Sequence, residues 1–167
     1  MLISIVHNLL RRDLAAVRRS VEAYPDAASL WEERAGLPNT GGTLALHLAG
    51  NLQHYIGAVL GHTGYVRDRD SEFSRRGVPR GELIAGLDAA ARAIDVAFAS
   101  LDGHAVTQAY PEQVAGRTIA TDVFLVHLAV HLTYHLGQLD YHRRVVTGDR
   151  TGVNAVAVRE LPELADS

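Results

Sequence analysis

The pattern from residue 119 to residue 147 is the longest helical stretch in the chain, and it carries histidines at every fourth position. His127, His131 and His135 recur in FLVHLAVHLTYHLGQLDYH, so successive imidazoles advance only about 40° around a helix of 3.6 residues per turn. A line of imidazoles inside an otherwise apolar segment must face something polar, and a metal ion is the simplest such thing. With His131 as reference, Ala120, Phe124, His127, His135, Gln138, His142 and Val145 lie on the same side. Asp122, Ala129, Thr133, Asp140 and Arg144 lie opposite and read as the wet side. Leu125, Val126, Val130, Leu132 and Leu136 widen the apolar surface beyond one stripe. A helix apolar most of the way round is buried on both sides, which leads us to expect a homodimer.

Three more helices are expected. Ile3, Val6, Leu10, Leu14, Val17 and Val21 follow one another at steps of three or four, which predicts a helix over about residues 2–23. Arg11, Arg12, Arg18 and Arg19 fall away from this stripe as a solvated face. After a loop punctuated by Pro25, Gly36, Pro38, Gly41 and Gly42, a second helix runs from about Thr43 to Leu60. A third spans about 80–101, with Leu83, Leu87, Ala90, Ile94, Ala97 and Leu101 on its apolar face. No strand ladder is legible. The expected fold is all-α, a four-helix bundle within a single domain over 1–167, the bundle covering about 2–147 and a tail about 148–167. The connection from His62 to Gly81 is long for a bundle, and SEFSRR within it reads as a helical turn. VNAVAV in the tail docks either on the bundle or on a partner chain.

Composition narrows the chemistry. With 167 residues, 47% hydrophobic and 21% charged, the chain is long enough to bury a core without staples. It has no cysteine, so a transition metal would rely on histidine, carboxylate and water. A net charge of −3 gives no electrostatic case for nucleic acid. No signal-like n-region and no long apolar run are present, so we expect a cytoplasmic protein with no membrane span.

The second helix supplies a complement to the histidine line. His47, Asn51 and His54 share one direction, bordered by Gly50, Gly57 and Gly61. Glycines inside a helix indicate close backbone approach or room for something bound, and Gly137 beside the fourth-helix line reads the same way. A lone histidine on an apolar face is usually a core residue bonded to a carbonyl. Five imidazoles on two facing helices (His47, His54, His127, His131, His135) are another matter, because burying them without partners would cost several kcal/mol. Two histidines at i and i+4 can grip one ion, with His47 as the natural third. Spacing alone does not choose between the His127/His131 and His131/His135 pairs. Three protein ligands leave a coordination position open, as catalytic sites do. His7, His62 and His104 read as surface or local-packing residues.

HLAVHLTYHLGQL resembles the HxxxHxxYHxGQ signature of the DinB/YfiT-like family of metal-dependent proteins, and LALHLAGNLQHYIGAVLG resembles that family's second-helix motif. YVRDRDSEF is similar to a bacterial subgroup of the same family. The resemblance implies an up-down-down-up four-helix bundle, often dimeric, with zinc or nickel held by His47, His131 and His135. His127 then becomes a neighbour in the pocket.

By the same resemblance, the chain is expected to be a thiol S-transferase-type enzyme in which the ion binds a low-molecular-weight thiol and a small-molecule electrophile receives it. Asn51, His54, His127, Tyr134 and Gln138 would orient ligands. Tyr65, Arg67 and Arg69 offer a carboxylate grip, although alternating Arg and Asp more often forms a solvated ion-pair network. Metal-dependent hydrolysis is the first alternative, and its weak point is a general base, since no Asp or Glu lies on the inward line of either ligand helix. A non-catalytic, stress-related metal-binding protein is the second.

Overall fold

The computed structural model describes residues 2–161; Met1 and the last part of the expected tail, 162–167, lie outside the described residues. Among the described residues the fold is all-α. It has six α-helices, and pairing in extended backbone is limited to isolated bridges such as Ala109 with Ala120. Among the described residues, no helix is long and apolar enough to cross a membrane.

The first helix, α1 (Leu2–Glu22), buries Val6, Leu10, Leu14, Val17 and Val21, the stripe its spacing predicts. A short α2 (Ala27–Leu30) follows, capped by the Asp26 carboxylate accepting from Ser29 N–H. Thr40 caps α3 (Gly41–Leu52) in the same way, its hydroxyl accepting from Thr43 N–H at 3.2 Å. The expected second helix does not run regularly to Leu60. At Gln53–Ala58 it widens into a π-helix, a form that often accompanies functional sites. Close packing sets this stretch: a methyl group on Gly57 would meet Ala93, and one on Gly61 would meet Ala97.

The long connection contains α4 (Arg69–Ser74), capped by Asp68, which takes in the SEFS part of the expected turn. Next come α5 (Arg80–Ser100) and α6 (Thr121–Thr147), the latter closed by left-handed Gly148 at φ 71°. Helix α1 packs against α5 and α6, and α3 packs against the same two. Leucines from all four meet in the core, among them Leu10, Leu48, Leu87 and Leu132.

Two sequence expectations need correction. Ala129 and Asp140 are buried and Thr133 is half-buried, so the supposed wet side of α6 faces α1. Charge misled the reading: Asp140 pairs with Arg143 and Arg144, and Arg143 also binds Asp149 and the Thr151 carbonyl. Thr133 donates to the buried carboxylate of Asp13 at 2.5 Å. The exposed side of α6 carries Val123, Val126, His127, Val130, Tyr134, Tyr141 and Val145, with the histidine line at its border with the core. The helix-one arginines are likewise paired rather than simply solvated. Arg12 bonds to Asp13, Arg18 to Glu22 and Asp88, and Arg19 to the Val153 carbonyl and Glu160. The last contacts lay the tail on α1 of its own chain.

Candidate metal centre

Helix α3 brings His47 toward α6 one turn before Asn51, and α6 brings His131 and His135 on successive turns. The Nε2 atom of His131 lies 3.3 Å from that of His47 and 3.1 Å from that of His135. One donor atom from each of the three falls within 4.8 Å of the others. A tetrahedral ion with bonds of about 2.0–2.1 Å to nitrogen would space its ligands about 3.3–3.4 Å apart.

Hydrogen bonding at the far side of two rings fixes which nitrogen is free. A carboxylate only accepts, so His47 Nδ1–H donates to Glu72 Oε2 at 3.0 Å and its Nε2 carries a lone pair. His135 Nδ1–H donates to the Gln138 amide oxygen at 2.6 Å, which leaves its Nε2 as a second lone pair. Both point at His131, whose own Nδ1 is buried without a hydrogen-bond partner. One proton on His131 Nε2 cannot serve two lone pairs arriving from different directions. A cation serves all three, so the donor set fits a metal ion.

Electrostatics agree with this assignment of protons. Burial, reinforced by neighbouring His135 and His47, holds His131 down at about 4. Burial also lowers His135, against the opposing bond to Gln138. Ligating imidazoles must be neutral, and both shifts favour the neutral form.

Glu72 is the residue of this cluster that the sequence pattern did not single out. It sits on α4, buried, and a bidentate pair from Arg67 (Nε to Oε1 at 2.7 Å, Nη2 to Oε2 at 2.8 Å) holds it in place. Burial alone would raise its carboxyl; the bonds from Arg67 and His47 bring it below the usual range. Arg67 is therefore neither a solvated ion pair nor a free grip for substrate. Gly50 now has a reason, because a methyl group there would collide with the Glu72 carboxylate. Phe73 completes the wall, its ring centroid 4.9 Å from that of His47. The sequence signal was present, a lone Glu beside an aromatic in a helical turn, but nothing in its spacing ties residue 72 to residue 47.

The remaining expected residues divide. Gln138 orients His135, as described. Tyr134 is exposed and meets the His135 ring edge-on at 5.2 Å. Asn51 is buried, and its side-chain oxygen has no partner. His127 is exposed and stacks on Phe124 at 5.8 Å, with its ring 6.2 Å from that of His131. His54 turns to Glu112 at 3.3 Å and meets the Tyr55 ring edge-on. His7 bonds to Asp95 at 2.8 Å against Phe98, the local-packing role expected of it.

Comparison with known proteins adds one finding. A family model described as "Protein of unknown function (DUF1572)" matches residues 3–158. No curated protein and no solved structure matches the chain.

Proposed function

The chain belongs to that family, whose description assigns no activity, and we propose that it is a divalent-metal protein with His47, His131 and His135 as ligands. The observation that carries this reading is the convergence of three Nε2 atoms, two of them fixed as lone pairs by Glu72 and Gln138. An all-nitrogen set of neutral imidazoles suits zinc or nickel. The mutual packing of α1, α3, α5 and α6 supports a four-helix bundle of the DinB/YfiT-like, up-down-down-up kind.

Within this reading the protein is an enzyme of thiol S-transferase type. A bound divalent ion would supply positive charge that deprotonates a thiol brought to it. The chain's own residues do the positioning: Arg67 locks Glu72, Glu72 locks His47, and Gln138 locks His135, so two of the three donor atoms are held before any ligand arrives. Hydrolysis is disfavoured because both oxygens of Glu72 are occupied by Arg67 and His47, leaving this carboxylate no freedom to act as a base. A purely structural staple is disfavoured because three ligands leave a tetrahedral ion one position open.

The test uses untagged protein. Elemental analysis should find one zinc or nickel ion per chain, and a low-molecular-weight thiol should be consumed with an electrophile only when the metal is present. Metal-free protein as isolated, unable to take up zinc, would overturn the reading. A large fall in melting temperature with EDTA and no thiol consumption would favour the staple. We further propose a homodimer formed through the exposed valines of the first half of α6, Val123, Val126 and Val130. Sedimentation velocity should then show a dimer that Val130→Asp converts to monomer.

A further inference from the structure

Gly137 lies in the interior of α6, where glycine is unfavourable relative to alanine. Gly137 is exposed, whereas packing explains the buried helical glycines. Methyl groups on Gly41, Gly42 and Gly50 would collide with Tyr24, Trp31 and Glu72, and one on Gly57 would come within 2.7 Å of Ala93. A methyl on Gly137 would meet nothing within 4 Å. The space it leaves forms part of a groove of about 470 Å³ between α6 and the Gly36–Asn39 loop. This is within the size range of small-molecule pockets, about 300–1,000 Å³.

The lining defines what fits. Leu37, Pro38 and Leu44 face Tyr134 and Tyr141, residues that are 63% and 69% exposed. Among the described residues no Asp, Glu, Lys or Arg lines the groove, so a charged ligand would be desolvated there without a counter-charge. His142 adds only its ring, since both its nitrogens are already bonded to Tyr24 and Glu32. The polar groups left to a ligand are the carboxamides of Asn39 and Gln138 and the hydroxyls of Tyr134 and Tyr141, and Gln138 is the residue that holds His135.

We propose that this groove binds a small, uncharged aromatic or aliphatic molecule, seated over Gly137 between the two tyrosines. Resting on the metal-site reading above, it takes the apolar body of the electrophilic substrate, with Gln138 joining the two sites. Binding of the apolar body itself requires no metal.

The probe is N-phenyl-1-naphthylamine, a neutral aromatic dye whose emission rises in apolar surroundings. It should saturate a single site on the full chain, equally with zinc and with EDTA, and shift the NMR imidazole signals of His135 and His142 but not that of His7. Gly137→Leu fills the groove and should weaken binding at least tenfold with unchanged circular dichroism. Tyr141→Ala removes one exposed ring and should weaken it without any demand on folding. Equal binding by wild type and both variants would overturn the proposal. So would a wild-type dimer that Gly137→Leu makes monomeric, which would give the groove to a second copy. Zinc stoichiometry on the same samples separates the readings: dye binding without zinc uptake sinks the metal centre alone, and zinc uptake without dye binding sinks the groove alone.

Discussion

His131 and His142 stand three turns apart on α6, within about 20° of the same direction, and their surroundings differ in kind. Burial lowers the pKa of both. At His142 every polar atom has a partner: Tyr24 O–H donates to Nδ1 at 2.8 Å, and Nε2–H donates to the Glu32 carbonyl at 2.8 Å. At His131 the Nδ1 has none, and the Nε2 faces two other imidazole nitrogens. The first is a structural histidine that ties α6 to the chain after α1. The second is a site that the protein alone does not satisfy. Burial and helical position are shared, so the inventory of partners is what separates a packing imidazole from one arranged for a ligand.

Exchanging the roles by mutation gives the largest expected effect. His131→Ala should abolish stoichiometric zinc uptake, exceeding the ~100-fold loss typical of removing an orienting partner, while leaving the metal-free melting temperature nearly unchanged. His142→Ala should do the reverse. It leaves the Tyr24 hydroxyl and the Glu32 carbonyl without their partner beside a cavity, a loss of about 2–5 kcal/mol, with zinc stoichiometry intact. Equal zinc occupancy in the two variants would erase the distinction.

Removing the support of His47 is the next step down. Glu72→Gln should weaken zinc binding about 10–100-fold, read by chelator competition. An amide has one accepting oxygen where the carboxylate has two, so it cannot serve both Arg67 and His47 as Glu72 does, and it loses the ionic pair with Arg67. Gly50→Ala should act in the same direction by displacing the carboxylate. An unaltered affinity in both would mean that Glu72 serves only the packing of α4.

Titration follows. His131 is lowered from 6.5 to about 4, and His142 is lowered as well, so the metal-free folded state binds fewer protons than the unfolded state between these limits. Its stability should therefore be full above about pH 6.5 and fall as pH drops toward about 4. Denaturant unfolding of metal-free protein at several pH values measures this fall, and His131→Ala should make it shallower. The smallest effects belong to the outer histidines: His127→Ala and His54→Ala should each change zinc affinity by less than about threefold, against the about 10–100-fold expected of an orienting partner.

The long helices were legible because apolar residues recur with the helical period; the first, third and fourth begin and end within two residues of their expected limits. The convergence of His47 with His131 and His135 was legible through helical phase and the family resemblance. What escaped depends on tertiary contact. Asp140 read as water-facing, yet it is buried and paired with Arg143 and Arg144. The π-helix after Leu52 follows from packing against α5 that no local pattern announces. Gly137 reads in sequence like Gly50, and only coordinates separate a glycine that admits Glu72 from one beneath an open groove.

X-ray absorption at the zinc edge of loaded, untagged protein tests the centre most directly. The account predicts three imidazole nitrogens at about 2.0–2.1 Å and loss of that signature in His131→Ala. A shell without multiple imidazole scattering, or a spectrum unchanged by the substitution, would contradict it.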